Sequence, residues 1–388
     1  MFHYIRRNGN EIRNQIRKRK YKPEPVRRVE ISKENGKMRK LGIPTVMDRV
    51  IQQAIHQVLS PIFEEQFSEH SYGFRPKRSC EMAVIKSLEI INDGYNWIVD
   101  VDLERFFDKV NHDKLMRIIS NTISDGDVIP LIRKYLVSGV MVKSNYEETL
   151  EGTPQGGNLS PLLSNIMLNE LDKELEVRGL RFVRYADDAL IFVGSQKAAE
   201  RVMKTVTSFI EKKLGLIVNT EKSQIAKSKK IKFLGFGYYF DSKEKRYQVR
   251  AHPISVKKFQ RKLKKWTKRN WSMALDERIE KLGQVVRGWV NYFRIAKMKM
   301  AMAKIDEKLR SRIRVIIWKQ WKVPKKQIQS LVKLGIPLEE AKGLAYCRKG
   351  YRYIGLSKVV QRALSNKRLK KRGVRFALNH YLKVHTVI

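Results

Sequence analysis

The first 250 residues alternate between short apolar strands and helices with apolar residues at every third or fourth position. Val29 and Ile31 alternate with charged residues before Asn35-Gly36, a strong turn signal, and predict a hairpin over 26–41. Other strands are predicted over 97–102, 145–150 (an edge strand), 180–193 (a hairpin with its tip at 186–188), 217–219 and 231–240. Helices are predicted over 11–20, 47–67, from 79 onward, over 113–139, from the 153–157 loop to about 178, and over 196–214. This alternation predicts one α+β domain.

After about residue 253 the pattern becomes helical. Two helices of a bundle are predicted from apolar residues spaced by three and four, namely Ile279, Leu282, Val286, Trp289 and Phe293, then Ile305, Leu309, Ile313 and Ile316. We interpret Trp289, Tyr292 and Phe293 as buried core residues of the first of these helices rather than as stacking platforms for bases. A lysine-rich stretch at 256–268 precedes them, and a basic segment of poor periodicity follows from about Lys319.

The chain contains 81 Lys+Arg and 39 Asp+Glu, a formal net charge of +42. The excess lies at the two ends, because residues 1–40 carry +10, residues 41–240 carry no net charge, and residues 241–388 carry +32. Lysines that only make a surface soluble would be scattered, so this distribution predicts binding to a polyanion. Nucleic acid is the favoured partner, and an anionic membrane surface is the alternative.

No apolar run approaches the roughly 20 residues of a membrane span, and the first residues do not read as a signal peptide. Cys80 and Cys347 are the two cysteines, too few for a disulfide framework or a cysteine zinc site. We expect a soluble protein of a reducing compartment with no membrane partner. The expected location is the cytoplasm, next to the nucleoid in a bacterium, with an organelle as the alternative.

Two groups of acidic residues carry the candidate chemistry. On the predicted strand 97–102, Asp100 and Asp102 share one face with Ile98. Asp187 and Asp188 stand together at a predicted hairpin tip, where like charges repel unless a cation neutralises them. Brought together, such acids could hold two Mg²⁺ ions about 3.5–4 Å apart for in-line phosphoryl displacement. The alternative for the Asp-Asp pair is ordinary turn chemistry.

The residues around these acids resemble one known family. The segment 182–188 reads Phe-Val-Arg-Tyr-Ala-Asp-Asp, which is similar to the signature hairpin of reverse transcriptases. Further motifs of the same family are Val-Asp-Leu at 101–103 with Phe-Phe-Asp at 106–108, the glycine-rich loop and helix at 152–165, His-Ser-Tyr-Gly-Phe-Arg-Pro at 70–76, and Arg-Gly-Trp-Val-Asn-Tyr-Phe at 287–293. In this form they resemble reverse transcriptases encoded by group II introns, also called maturases.

The resemblance implies a right-hand polymerase fold, α+β in its fingers and palm, followed by an α-helical thumb or maturase domain. Its implied boundaries are fingers over 1–95, palm over 96–250, thumb over 251–318, and a basic DNA-binding-like segment over 319–388. Relatives often carry an endonuclease domain after this segment and some tens of residues before the match at Asn8-Gly9. We expect neither the endonuclease domain nor the N-terminal extension in this sequence. The expected lack of the extension makes template capture and intron binding less certain than the metal site.

The resemblance also implies catalytic roles. Asp102, the backbone carbonyl of Leu103, and Asp187 match the ligands of the two Mg²⁺ ions, and Asp188 matches a supporting third acid. Asp100 is the rival of Asp102, since both share a face. Lys222 matches a lysine proposed as the proton donor to pyrophosphate. We interpret His112 as a structural hydrogen-bonding residue.

Binding roles are implied in the same way. Nucleotide-binding residues are expected at Lys33 and Arg39 of the finger hairpin, at Phe107 as the gate against a ribose 2′-OH, and at Gln155 and Gly156. Template- and primer-binding residues are expected at Arg75, Pro154, Phe233, Leu234, Gly235, Lys258, Lys262 and Lys265. The alternatives are solvation of the hairpin for Lys33 and Arg39 and a structural salt bridge for Arg75. We interpret Phe106 as a core residue.

The implied function is RNA-directed DNA polymerisation, together with binding of an intron RNA and assistance of its splicing. The alternative is a catalytically silent RNA-binding maturase or decayed remnant, which would assist splicing by stabilising the shape of the RNA alone. The intact Asp102, Asp187 and Asp188 argue against decay, since a remnant has no chemical need for them. The expected partners are an RNA template, a DNA primer, their duplex, dNTP, an intron RNA and a target DNA. A polymerase of another element, such as a retron, is disfavoured by the thumb motif at 287–293.

Overall fold

The computed structural model describes residues 2–32, 36, 38–154 and 156–387 of the 388-residue chain. These residues divide into two compact units between Ile231 and Lys232, and each is considered by itself. Among the described residues, every helix is too short or too polar to cross a membrane.

The first unit contains eight α-helices and eight strands within the described part of the chain. Its helices are α1 (Phe2–Arg17), α2 (Val46–Glu64), α3 (Cys80–Asn92), α4 (Phe106–Lys109), α5 (His112–Ser120), α6 (Val128–Leu136), α7 (Ser160–Val177) and α8 (Gln196–Phe209). Its strands are β1 (Val26–Ser32), β2 (Met38–Ile43), β3 (Trp97–Val101), β4 (Val140–Val142), β5 (Asn145–Glu147), β6 (Arg181–Tyr185), β7 (Asp188–Val193) and β8 (Gln224–Lys227).

Several helices begin where a short polar side chain can accept a backbone N–H. Thr45, Ser79, Asn111 and Ser195 cap α2, α3, α5 and α8 in this way. The strands form two sheets, with orders β2-β1-β4-β5 and β6-β7-β3-β8. The antiparallel β1–β2 pair confirms the predicted hairpin strands, and β5 lies at a sheet edge as predicted.

The core of the first unit lies on one face of the β6-β7-β3-β8 sheet. Val99 and Val101 of β3 belong to it together with apolar residues of α2, α5, α7 and α8. Residues of α7 such as Leu163, Ile166 and Met167 are almost fully buried, which fits a helix that packs on several sides. The sheet is therefore covered on this face, and its central strand β3 is fixed between β7 and β8.

Two predictions in this unit were wrong. Residues 113–139 do not form one helix, because the chain breaks between α5 and α6, where Asp125 Oδ1 accepts the backbone N–H groups of Asp127 and Val128. Residues 217–219 do not form a regular strand: Val218 makes an isolated bridge to Leu103. The fourth strand of the sheet is β8, which the hydrophobic pattern did not predict.

The second unit begins with three antiparallel strands and continues with helices. The strands are β9 (Lys232–Phe233), β10 (Phe236–Asp241) and β11 (Arg246–Ala251), in the order β11-β10-β9. The helices are α9 (Pro253–Trp266), α10 (Leu275–Tyr292), α11 (Lys299–Gln320), α12 (Pro324–Lys333), α13 (Leu338–Ala345), α14 (Tyr351–Leu356), α15 (Lys358–Ala363), α16 (Asn366–Lys371) and α17 (Ala377–Val384). The predicted strand over 231–240 is broken, because Leu234 and Gly235 have positive φ and form the β9–β10 turn.

The predicted apolar stripes of the two long helices are buried. Ile279, Leu282 and Val286 line the core from α10, and Ile305, Leu309 and Ile313 line it from α11. The segment after Lys319, predicted only as basic and poorly periodic, folds into the six helices α12–α17. The last of them, α17, packs against α10 and α11. The predicted fold class, α+β followed by a helical region, is confirmed.

The buried carboxylate of Asp306 fixes α17. It accepts the backbone N–H groups of Ala377 and Leu378 at 2.7 and 2.8 Å, where a helix N-terminus favours negative charge. Burial raises the pKa of Asp306, and these two hydrogen bonds oppose that rise. The C-terminal helix is thus an integral part of the second unit.

Candidate active site

Two acidic residues lie at the end of the central strand β3. Asp100 is on the face opposite the core residues Val99 and Val101, as the alternation of strand side chains requires. Asp102 follows the strand, and its side chain is 29% exposed. Val101 pairs with Ala189 of β7, so the next position in this register brings Asp102 opposite Asp188.

The turn between β6 and β7 carries Asp187. Tyr185 pairs with Asp188, so the turn consists of Ala186 and Asp187. Ala186 has φ of +57°, a left-handed conformation that is uncommon for a residue with a side chain. The Ala186 carbonyl accepts a hydrogen bond from Arg184 Nη1 at 3.0 Å. The residue just before Asp187 is therefore held by the strand that leads into the turn.

Arg184 is itself fixed inside the first unit, with 1% of its surface exposed. Its Nε donates to Asp172 Oδ1 at 2.7 Å, its Nη2 forms an ion pair with the same carboxylate, and its Nη1 also donates to Asn165 Oδ1 at 3.0 Å. Asp172 and Asn165 both lie on α7. The planar guanidinium thus connects this helix to the turn, which a lysine ammonium could not do in the same geometry.

Gly73 closes the other side of the turn. A Cβ atom at this position would lie 2.3 Å from the backbone nitrogen of Ala186, so a residue with a side chain would displace the turn. Asn165 Nδ2 donates to the Gly73 carbonyl at 2.8 Å. The segment 70–73 also exchanges backbone hydrogen bonds with Arg184, through the His70 carbonyl and the Tyr72 N–H.

The acids influence one another electrostatically. Desolvation, followed by the charges of Asp187, Asp100 and Asp102, raises the pKa of the Asp188 carboxyl to about 6. Burial and the charge of Asp102 raise the pKa of Asp100, while a hydrogen bond from Gln224 at 3.0 Å opposes that rise. Acids from β3 and from the β6–β7 turn therefore share one crowded region of negative charge.

The donor set fits a magnesium ion in its chemistry. Its members offer oxygen atoms only, which Mg²⁺ prefers, and a divalent cation would relieve the crowding that raises the pKa of Asp188. Within the described part of the chain, no three His, Cys, Asp or Glu side chains are arranged closely enough to enclose a metal ion. The acids are thus gathered at one end of the sheet without forming a closed ligand cage.

Lys222 lies directly on this cluster. Its ammonium group is 2.9 Å from Asp102 Oδ1 and 3.2 Å from Oδ2, and its side chain is 63% exposed. Ser223 and Asn219 fix the backbone of Asp102, since Ser223 Oγ accepts from the Asp102 N–H at 3.0 Å and Asn219 N donates to the Asp102 carbonyl at 2.8 Å. A cation therefore already neutralises one of the predicted metal ligands.

Phe107, the predicted gate against a ribose 2′-OH, lies in the first unit beside Phe106. Phe106 is buried, as predicted for a core residue, while Phe107 is half-buried and packs edge-on against it. The Phe107 carbonyl accepts the N–H of Thr153. His112 is buried, and its Nε2 lies 2.7 Å from the Gly152 carbonyl, which confirms it as a structural hydrogen-bonding residue.

The glycine-rich loop also contacts β2. Pro154 lies beside Gly42, and a Cβ at Gly156 would be 2.7 Å from the Gly42 carbonyl oxygen. Arg39 is exposed on β2, opposite Ile31 of β1. The structure thus brings this loop to the hairpin that carries Arg39. Lys33 and Gln155 fall outside the described residues.

Arg75 does not present its charge to solvent. Its guanidinium forms a salt bridge with Glu64 at 2.8 Å, donates to the Ser68 and Ser71 carbonyls, and lies over the Phe67 ring. Only 3% of its side chain is exposed. The structure favours the structural salt bridge over a direct template contact, because a guanidinium so fully engaged has few donors left for phosphate.

The remaining predicted contacts lie in the second unit. Phe233 is buried, and the carbonyls of Leu234 and Gly235 accept hydrogen bonds from Tyr292 Oη and Ser255 Oγ at 2.8 Å. On α9, Lys262 and Lys265 are exposed and Lys258 is partly exposed, whereas Phe259 and Leu263 of the same helix are buried.

The prediction that Trp289, Tyr292 and Phe293 are all buried was partly wrong. Phe293 is buried and Trp289 stacks on Phe259 at 4.4 Å, but Tyr292 is 43% exposed. Sequence reasoning also missed Arg184 and Asp172 as supports of the turn. The signal that could have found them is an arginine inside an otherwise apolar strand, which must have a buried partner.

The chain matches two family models. One, described as reverse transcriptase (RNA-dependent DNA polymerase), covers residues 31–238, and the other, described as the maturase-specific domain of group II introns, covers residues 256–335. The chain belongs to the reverse transcriptase family, in its group II intron branch. The two matched domains indicate a fingers-and-palm region followed by a helical thumb.

Relatives agree with this family. Protein YkfC of Escherichia coli is 34% identical over 252 residues, which are 55% of this chain and 66% of that protein. The group II intron-encoded protein LtrA of Lactococcus lactis is 43% identical over 171 residues, 44% of this chain and 28% of that protein. The chain thus matches less than two thirds of the length of either relative. Telomerase from Candida tropicalis aligns with 97% of this chain and 68% of its own at 13% identity and a TM-score of 0.47, and the family assignment does not depend on that likeness.

Proposed function

We propose that this chain is an RNA-directed DNA polymerase that extends a DNA primer on an RNA template. The primer 3′-hydroxyl loses its proton to solvent and its oxygen bonds to the α-phosphorus of a dNTP, while the bond from that phosphorus to the β-phosphate oxygen breaks and pyrophosphate leaves. The observation that carries the proposal is the clustering of Asp102, Asp187 and Asp188 at one end of a sheet inside a reverse transcriptase domain.

Two magnesium ions are part of this proposal. Asp102, Asp187 and the Leu103 carbonyl would hold them, with Asp188 in support, as the oxygen chemistry of these residues allows. When bound, the ions supply Lewis-acid stabilisation of the attacking and leaving oxygens. Arg184 keeps the Ala186-Asp187 turn in place from inside the unit, so that Asp187 does not have to be ordered during the reaction.

The other residues of the first unit have proposed roles around the reacting groups. Arg39, together with Lys33, would bind the triphosphate and neutralise charge on the leaving pyrophosphate. Phe107 would lie against the sugar and exclude a 2′-OH, next to Gln155 and Gly156. Lys222 has two possible tasks, as a counter-charge for Asp102 in the free protein and as a proton donor to pyrophosphate.

The second unit is proposed to hold nucleic acid. Its net charge and its exposed lysines on α9 suit contacts with phosphate, which position a duplex without reading its sequence. The β9–β10 turn at Phe233, Leu234 and Gly235 would contact the primer strand. The match to the maturase-specific domain supports a second role in binding an intron RNA, with a target DNA as a further partner.

Primer extension on poly(rA)–oligo(dT) with Mg²⁺ tests the proposal. The parent should extend the primer and Asp187→Ala should not. Asp276→Ala, which changes an exposed aspartate of the second unit, is the matched control and should extend like the parent. Equal extension by Asp187→Ala would remove this residue from the site. Extension by none of the three proteins would favour a maturase that acts through RNA binding alone.

A further inference from the structure

The second unit contains a large cationic cavity that none of the proposed contacts uses as a whole. It has a volume of about 1310 Å³ and lies between the α9–α10 loop, α11 and α14. Six exposed cationic side chains line it, namely Lys265, Lys268, Arg269, Lys304, Lys308 and Arg352. Glu307 is the one carboxylate among the described lining residues. Such a surplus of positive charge in a concave site attracts a polyanion.

The loop that forms one wall is rigidly held. The buried Arg278 donates to the Lys268 and Trp271 carbonyls at 2.6 and 2.8 Å, and Arg312 donates to the Thr267 carbonyl at 3.0 Å. Lys319 donates to the Arg269 carbonyl. These donors already bind the carbonyl oxygens of the loop. The partial negative charge of those oxygens therefore repels a bound phosphate less. The side chains of Lys268, Arg269 and Trp271 are left to line the cavity.

Two aromatic rings are exposed in the same cavity. Trp271 is 36% exposed and stacks on Trp266 at 5.2 Å. Tyr351 is 37% exposed, and the guanidinium of Arg269 lies 4.6 Å from its ring centre. Each ring is therefore supported from one side and still accessible. Supported rings between cations are typical of sites that stack unpaired bases while the cations follow the backbone.

We propose that this cavity binds an unpaired stretch of nucleic acid, with a base stacked on Tyr351 and phosphates on the surrounding cations. A duplex hides the faces of its bases, so an aromatic cavity offers it little beyond phosphate contacts. This site differs from the proposed duplex contact of α9, which shares with it only Lys265. The inference rests on the proposed nucleic-acid role of the second unit, and it requires neither dNTP nor magnesium.

The test is binding of a short single-stranded RNA with one 2-aminopurine base, in the full-length chain and without dNTP or Mg²⁺. Stacking should quench the fluorescence in the parent. Tyr351→Ala should weaken binding about tenfold or more and lose the quench, because one stacked base contributes on this scale. Tyr351→Phe should bind like the parent, since it keeps the ring.

Tyr353→Ala is the matched control. Tyr353 is a 50% exposed tyrosine on the same helix, lies beside Lys349, and does not line the cavity. It should bind within about twofold of the parent. Single-stranded DNA in the same assay shows whether the site prefers RNA or DNA. A loss of affinity for either strand in Tyr351→Ala supports the site, and the strand that the parent binds more tightly is its ligand.

Parental binding of both strands by Tyr351→Ala would overturn the proposal. An equal loss of RNA–DNA duplex affinity in this variant would also overturn it, because the cavity would then be part of the duplex contact. Primer extension is measured separately on the same proteins. A parent that binds and quenches the single strand but fails to extend a primer would contradict the polymerase proposal and leave the cavity site supported.

Discussion

The two units of this chain satisfy the hydrogen bonds of their buried arginines in different ways. Residues 1–231 carry a net charge of +9 and residues 232–388 carry +33. In the first unit, the buried Arg184 and Arg75 form ion pairs with Asp172 and Glu64. In the second, Arg278 and Arg314 are satisfied mainly by backbone carbonyls, those of Lys268, Trp271 and Leu364.

This difference follows from composition. With 42 basic and 9 acidic residues, the second unit has too few carboxylates to pair its cations, and burial lowers the pKa of Arg278 and Arg314. Carbonyl oxygens satisfy hydrogen bonds but do not cancel charge. The positive field therefore remains available to an external polyanion, whereas the first unit uses its paired charges to fix the geometry around a few acids.

The largest expected effect is the response of duplex binding to salt. If the second unit contacts 6–10 phosphates, affinity for an RNA–DNA duplex should fall by roughly 10³–10⁵ between about 50 and 200 mM salt. Changing Lys258, Lys262 and Lys265 together to glutamine should reduce the slope of log affinity against log salt by about one per lost phosphate contact. Fluorescence anisotropy of a labelled duplex measures both.

The control changes three exposed lysines of the first unit, Lys143, Lys197 and Lys212, to glutamine. It should leave the salt slope close to that of the parent. The same decrease of slope in both triple variants would mean that the whole surface, and not the second unit, binds phosphate.

The next effect concerns the buried ion pair. Arg184→Ala leaves the Asp172 carboxylate unpaired in the core and should destabilise the first unit by about 3–5 kcal/mol. Arg184→Lys keeps the charge but cannot contact Asp172, Asn165 and Ala186 together. Its free energy of unfolding should therefore fall less than that of Arg184→Ala, while its kcat for primer extension should still decrease. Hydrogen exchange of the β3 and β7 amides reports stability, and single-turnover extension reports the chemical step.

Arg181→Ala is the matched control for this pair. Arg181 lies on the same strand, is exposed, and pairs with Asp93 on the surface. It should change the free energy of unfolding by no more than about 0.5 kcal/mol. If Arg184→Lys extends primers at the parental rate, the guanidinium is not a positioning group for the turn.

A smaller effect is expected at the base of α17. Asp306→Ala removes the acceptor of two backbone N–H groups and should destabilise the second unit by about 1–3 kcal/mol. Five of the six tryptophans lie in this unit, so tryptophan fluorescence during denaturation mainly reports its unfolding. An unchanged denaturation midpoint in Asp306→Ala would show that α17 does not depend on this carboxylate.

The smallest effect is expected at Lys222. Because its ammonium group pairs with Asp102, Lys222→Gln should lower the Mg²⁺ concentration needed for half-maximal extension by about two- to fivefold, the range of an exposed ion pair. If Lys222 also donates a proton to pyrophosphate, kcat at saturating Mg²⁺ should fall as well. A higher Mg²⁺ requirement would mean that Lys222 supports metal binding instead of opposing it.

Much of the local structure could be predicted from period and turn chemistry. The paired strands β1 and β2, the strand just before Asp102, and the stripes of α10 and α11 follow repeated local patterns, and the structure contains all of them. The break between α5 and α6 could not be read from the apolar pattern, because it depends on one side chain, Asp125, that accepts two backbone N–H groups. Strand β8 is short and mixed in polarity, and only its pairing with β3 defines it.

In the candidate site, too, some residues could be predicted from the sequence and others could not. Asp102, Asp187 and Asp188 were found from their placement on strands and from the family motif, and their catalytic roles remain predictions. The apolar strand around Arg184 indicates that it has a buried partner, but the sequence does not show which residue supplies that partner, and the same holds for Arg75. Their roles depend on contacts across α7 and α2, which are set by packing at long range.

The central claim is that Asp102 and Asp187, distant in the chain, share bound cations. It is tested most directly by replacing Mg²⁺ with Fe²⁺ in the protein–duplex complex and mapping where hydroxyl radicals cut the backbone. We expect cuts close to both residues in one sample, suppressed by excess Mg²⁺ and absent in Asp187→Asn. Cuts near only one of the two residues, or a pattern that Asp187→Asn does not change, would contradict a shared site.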